Sequence, residues 1–248
     1  MRLLHHVGDC FGRYRSLAMT MLSIIPPMLK ALIFDFDGLI LDTETPEYLA
    51  WKDIYQEHGY ELPHEEWGKI VGGYGISSFD AAEHLALLSQ GRLDSVSMRL
   101  RHSSESLARI HAQAILPGVL ELIRDAKAHG LKLAIASSSP HSWVDNHARR
   151  LGIFHYFDKV ICADDVGAGR TKPNPDLFLL ALNQLEVERE AAVVFEDSPN
   201  GVTAANHAGI FVVAVPNHVT AQLKLEHANL VMKSLADLSL YELMERMK

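Results

Sequence analysis

Cysteine is scarce in this chain: only Cys10 and Cys162 occur among 248 residues. Two cysteines build neither a disulfide framework nor a zinc-ligand pattern. A reducing, cytoplasmic setting is the expectation. Long apolar runs are also missing, and no stretch approaches the length of a membrane span. Positive charge is in deficit, with 23 Lys and Arg against 31 Asp and Glu and a formal net charge of -8. No basic cluster is present that could follow a phosphate backbone, so neither nucleic acid nor membrane is an expected partner. An acidic protein that handles phosphate esters would need positive charge placed locally, by a metal ion or a lysine. Internal repeats and low-complexity tracts are absent too.

What remains is ordinary globular composition, 48% hydrophobic and 22% charged. That is enough apolar mass for one core domain with a smaller insert. Residues 1–27 read as a leader outside the fold. Arg2, Arg13 and Arg15 face a single acid there, Asp9, and a short apolar run ends at Pro26-Pro27. The pattern loosely resembles a targeting segment but offers no small-residue cleavage site, and Met28 reads as a natural start.

From Lys30 onward the text is highly organised. Short apolar runs at 31–34, 131–136, 159–162, 191–195 and 210–215 read as buried strands. A helical pattern precedes each of the last four. Ser139-Pro140, Asn174-Pro175 and Ser198-Pro199 read as helix openings, each a capping side chain followed by proline at the first helical position. Alternating strands and helices predict an α/β fold, a three-layer doubly wound parallel sheet of Rossmann-like form. Ligands in such sheets bind beyond the carboxyl ends of the strands.

One connection is too long for a simple crossover. Residues 42–116 read as a helical insert, with a helix opened by Thr45-Pro46 and closed at Gly59, and two more at 79–88 and 98–110. The expected division is a core domain of 28–41 and 117–248 and a small helical cap of 42–116. Residues 235–247 read as an amphipathic terminal helix.

Four strand ends carry chemically able residues. Asp35-Phe36-Asp37-Gly38 follows the first strand and Ser137-Ser138-Ser139 the second. Lys172 lies before the helix that Asn174-Pro175 opens, and Glu196-Asp197-Ser198 follows the fourth strand. Taken singly, each has a plain alternative as a turn, a cap or a surface loop. A lysine beside a helix N-terminus is electrostatically awkward unless an anion accompanies it. Paired carboxylates suit a hard cation such as magnesium. The glycine-rich stretches at 72–75 and 167–172 lack the spacing of a nucleotide-binding loop, and no histidine pair has metal-ligand spacing.

Together, in order and spacing, these motifs resemble the haloacid dehalogenase superfamily, and within it the beta-phosphoglucomutase-like phosphatase group. The resemblance runs from about Leu29 to the C-terminus. It rests on Asp35-Phe36-Asp37-Gly38-Leu39-Ile40-Leu41-Asp42-Thr43-Glu44, Ser137, Lys172-Pro173-Asn174-Pro175-Asp176 and Glu196-Asp197-Ser198-Pro199-Asn200-Gly201. It implies strand order 5-4-1-2-3 and a magnesium-dependent phosphatase that works through an aspartyl-phosphate. Asp35 would be the nucleophile and Asp37 the acid and base. Ser137 and Lys172 would hold the transferring phosphoryl group. Ser137, Ser138, Lys172 and Glu44 are the implied substrate contacts, and Asp35, Asp37, Glu196 and Asp197 the implied magnesium ligands. A histidine of the mutase that names the group is replaced here by Glu47. The arginine with which that mutase grips a second phosphate has no counterpart in 72–78. A small sugar-phosphate-like ester, handled by a monomer, is therefore expected. A sugar phosphomutase is the alternative, and a non-catalytic binding protein a remote one.

Overall fold

The computed structural model describes residues 29–68 and 79–247. The expected leader and the 72–78 segment lie outside the described residues. In chain order the elements are β1 (Ala31–Phe34), α1 (Glu44–Glu57), α2 (His64–Gly68), α3 (Ala81–Leu88), α4 (Ser95–Ala112), α5 (Val119–Ala128), β2 (Lys132–Ala136), α6 (His141–Arg150), β3 (Lys159–Ile161), α7 (Ala163–Val166), α8 (Asp176–Leu185), β4 (Ala192–Glu196), α9 (Pro199–Ala208), β5 (Phe211–Ala214), β6 (Leu230–Val231) and α10 (Leu240–Arg246).

The strands form one six-stranded sheet in the order β3-β2-β1-β4-β5-β6. Every pairing is parallel, and β1 at the centre sets Leu32 opposite both Leu133 and Val193. Side chains alternate between the faces. Leu32, Phe34, Leu133, Ile135, Val193 and Phe195 enter the cluster under α5 and α6. Ile33, Ala134, Ala136 and Val194 enter the cluster under α8 and α9. Both faces are covered, which is why the strands read as continuous apolar runs rather than alternating ones. The short β6 had no such run to mark it.

Of the four expected helix openings, one forms as read, and α1 begins at Glu44, ahead of Thr45-Pro46, without a side-chain cap. The Ser198 side chain accepts the Gly201 N–H, Pro199 opens α9, and Gly209 closes it at φ 72. The other two begin one residue later, after Pro140 and Pro175, without a side-chain cap. The expected capping groups are occupied elsewhere. Ser139 Oγ donates to Asp37 at 2.7 Å, and Asn174 Nδ2 donates to the carbonyls of Gly169 (2.9 Å) and Thr171 (3.2 Å). The terminal segment is also not one helix. Leu235–Asp237 makes a short 3₁₀ turn, and the reciprocal Ser239–Glu242 capping box starts α10 anew.

Helices α1 to α4 carry their own apolar cluster, built on Trp51, Ile54, Tyr55, Leu62, Trp67 and Leu85. Tyr55 Oη donates to the Ala81 carbonyl at 2.7 Å and ties α1 to α3. Two chain crossings join this bundle to the sheet. Leu41 bridges antiparallel to Ile115, and the Leu116 N–H reaches the Ile40 carbonyl at 3.0 Å.

Candidate active site

The Asp35 N–H extends the ladder by one step, donating to the Phe195 carbonyl at 2.9 Å. Asp35 is thereby fixed at the end of the central strand. The chain then turns sharply at Gly38, which has φ +80; a Cβ there would lie 2.3 Å from Asp197 Oδ2 and 2.7 Å from Asn217 Nδ2. Only glycine lets the first loop press against the fourth strand end. Gly201 serves likewise at the start of α9, since its Cβ would overlap the Glu196 carboxyl at 1.9 Å.

Lys172 is buried and reaches across to two acids. Its Nζ pairs with Asp35 Oδ1, and with Glu196 Oε1 at 2.6 Å. The second Glu196 oxygen accepts from the Asp197 N–H (3.1 Å), the Ser198 N–H (3.3 Å) and Ser198 Oγ (3.2 Å). Asp35, Glu196 and Asp197 are all buried and can each offer one oxygen within 4.8 Å of the others. Three carboxyls against one ammonium leave an excess of acid. Burial, the nearby Glu196 and Asp37 push the Asp35 carboxyl up to about 8 against the pull of Lys172. Burial, Glu44 and Glu196 raise Asp197 well above its ordinary value. Burial works against the Lys172 ammonium, but Asp35 and Glu196 outweigh it and hold the lysine charged. A divalent cation would offset the excess. The donor set of hard carboxylate oxygens fits magnesium.

Asp37 stands apart from that cluster. Its Oδ1 accepts from Trp143 Nε1 at 2.8 Å, and its Oδ2 from Ser139 Oγ at 2.7 Å and Ser137 Oγ at 3.3 Å. Ser137 is buried, and its own Oγ accepts the Ser139 N–H at 3.0 Å. Ser138 is exposed on the same turn. Glu44 lies on the other side, where Asn217 Nδ2 donates to Glu44 Oε2 (3.2 Å), Asp197 Oδ2 (2.7 Å) and the Gly38 carbonyl (3.3 Å). Burial and the surrounding acids push Glu44 up to about 8. Glu47, one turn further along α1, is accessible to solvent, yet protein bulk and Asp37 push it up to about 7.

The sequence-read residues thus divide into two groups at one sheet edge. Asp35, Lys172, Glu196, Asp197 and Glu44 share the acid cluster, while Asp37 and Ser137 share a hydroxyl-lined corner. Three contacts escaped the sequence reading. Ser139 passes for a helix cap, and Trp143 is lost in the apolar pattern of α6. Asn217 follows a fifth strand end, 210–215, and only that position marks it.

Residues 32–215 match the family described as haloacid dehalogenase-like hydrolase. The Bacillus subtilis protein YhcW, whose name places it among phosphatases, is 40% identical over 220 residues, spanning 89% of this chain and 98% of its own. The phosphorylated carbohydrates phosphatase of Thermotoga maritima is 33% identical over 186 residues, 73% of this chain and 82% of its own. The crystal structure of beta-phosphoglucomutase from Clostridium difficile is 27% identical, with a TM-score of 0.65 over 89% of this chain and 97% of that one.

Proposed function

The chain belongs to the haloacid dehalogenase-like hydrolases, and we propose that it hydrolyses a small sugar-phosphate-like monoester by covalent attack from Asp35. One observation carries this reading. Asp35 ends the central strand, buried, paired with Lys172 and within one metal-sized cluster with Glu196 and Asp197. Phosphoryl transfer asks for little more than a positioned nucleophile, a proton carrier and counter-charge. When bound by Asp35, Glu196 and Asp197, with the Asp37 main-chain carbonyl as a further ligand, magnesium would screen the ester's negative charge.

The chain's own groups then divide the work. An Asp35 oxygen forms the bond to phosphorus while the bond to the ester oxygen breaks. The departing oxygen takes its electron pair and a proton from Asp37. In the second half Asp37 removes a proton from water, the water oxygen bonds to phosphorus, and the Asp35 carboxylate is released. Lys172 offsets charge as Asp35 reacts, and Ser137, with Ser138 on the same turn, donates to the phosphoryl oxygens. Residues 42–116 act as a cap that excludes water and selects the alcohol.

The likeness to a phosphatase of phosphorylated carbohydrates supports a sugar-type alcohol. The likeness to beta-phosphoglucomutase supports a second reading, in which a bound sugar phosphate takes the phosphoryl group instead of water. Glu47 weighs against it, because an exposed acid near Asp37 opposes a second anion. Phosphate release from sugar and nucleoside monophosphates with magnesium tests the proposal. Release by wild type and none by Asp35→Asn is expected. Sugar-phosphate isomerisation without release would favour the mutase.

A further inference from the structure

Asp37 is held by an uncommon donor. An indole N–H donates only and never accepts, so Trp143 Nε1 always presents a donor to Oδ1 of Asp37 and disfavours a proton on that oxygen. A serine hydroxyl has no such restriction, since it can donate or accept as the partner requires. The two carboxyl oxygens are therefore unequal. Oδ1 is bound by a one-way donor at 2.8 Å, whereas among the described residues Oδ2 meets the Ser139 and Ser137 hydroxyls at 2.7 and 3.3 Å. Oδ2 is also the oxygen beside Ser137, on the side where the phosphoryl group would lie.

The indole itself is well anchored. It packs partly buried against the larger core cluster. Its ring lies 4.3 Å from the ring of His147, which is buried in α6. Burial, then Arg150 and His111, lower His147 from its ordinary value. Its Nδ1 accepts from Arg150 Nε at 3.3 Å. The same arginine donates to the carbonyls of His111 (3.1 Å), Gln113 (3.2 Å) and Ile110 (3.4 Å), where α4 returns to the sheet. The ring is thus fixed from behind by His147 and Arg150, with the Asp37 charge opposing the fall at His147.

Resting on the reading of Asp37 as proton carrier, we propose that Trp143 is a positioning residue that engages Oδ1 of Asp37 and reserves Oδ2 for the proton passed to and from substrate. Nothing in apolar packing requires the nitrogen, so Trp143→Phe separates the two roles. It keeps a ring against His147 and removes the N–H.

Trp143→Phe and Asp37→Asn should be compared on two esters, an alkyl phosphate whose alcohol must be protonated to leave and p-nitrophenyl phosphate, whose phenolate leaves unprotonated. The quantity compared is kcat/KM, which covers the steps up to departure of the alcohol and leaves out the water attack common to both esters. For Trp143→Phe the expectation is a loss of about 10-fold on the alkyl ester and less than about 2-fold on the aryl ester. Equal losses on both esters, or none on the alkyl ester, would overturn the proposal. If Asp37→Asn shows no preference for the aryl ester in kcat/KM, the proton-carrier reading itself is wrong. If it does and Trp143→Phe does not, only the role of Trp143 is. A second readout does not depend on turnover or on the stability of Trp143→Phe. The Trp143 indole N–H proton resonance, identified among those of Trp51 and Trp67, should move upfield in Asp37→Ala. An unmoved resonance would contradict the contact.

Discussion

Lys172 shows at the residue scale how one side chain organises a site. Its ammonium meets Asp35 and Glu196 in a buried position, and this resolves the conflict of a cation near the N-terminal end of α8. Gly38 is the other fixed point. At φ +80 and against Asp197 and Asn217, it has room for no side chain. Gly38→Ala should cost about 1–3 kcal/mol, through backbone strain and displaced carboxyls. It should also weaken magnesium binding. Denaturant unfolding and calorimetric magnesium titration check this; unchanged stability and affinity would mean the loop can open without cost. Asp35, Glu196, Asp197 and Lys172 were legible in sequence because the acids end or follow apolar strands and the lysine directly precedes Pro173-Asn174-Pro175. Asn217 and Trp143 were not, because an amide and an indole are ordinary in loops and helix faces. Their roles arise only from what the fold brings beside them.

Legibility at the element scale followed burial. The strands of the sheet centre are enclosed on both faces, so composition alone marked them, whereas the two-residue β6 carries no such signal. Helix starts were less readable, because a side chain that can cap can also bond elsewhere. Ser139 and Asn174 both do so. Ser239 shows the opposite case, since its capping box with Glu242 divides the terminal segment that periodicity read as one helix. Ser239→Ala should cost about 1 kcal/mol, visible as a small fall in the unfolding midpoint with the slope unchanged. No loss would show that Leu240 and Leu243, both buried, hold α10 in place without its cap.

The balance of charge at one sheet edge governs the whole molecule. In the metal-free fold, burial and the neighbouring acids push the Asp35 and Glu44 carboxyls up to about 8 from ordinary values of 3.8 and 4.5. Carboxyls with raised folded values add stability that is fully present below the ordinary values. That stability is lost as pH rises through the folded ones. The metal-free protein should therefore lose stability between about pH 4 and pH 8. If magnesium binds the ionised cluster of the folded state, as proposed, it should raise the melting temperature more at pH 8 than at pH 5. Melting curves with and without magnesium at the two pH values test this, and an equal or reversed magnesium effect would contradict it. The same excess of acid explains how a chain of net charge -8 can serve an anionic ester. Positive charge is needed only at the site, where Lys172 supplies it and a cation held by the acid cluster would add to it.

The central claim is that Asp35 carries the phosphoryl group, and the direct measurement is to catch it there. Wild-type protein turning over a phosphate ester with magnesium would be quenched in acid, digested and examined by mass spectrometry. A phosphoryl group on Asp35, gained within the first turnover and absent from Asp35→Asn, is the predicted result. Turnover with no phosphoryl group on Asp35, or near-normal turnover by Asp35→Asn, would contradict it.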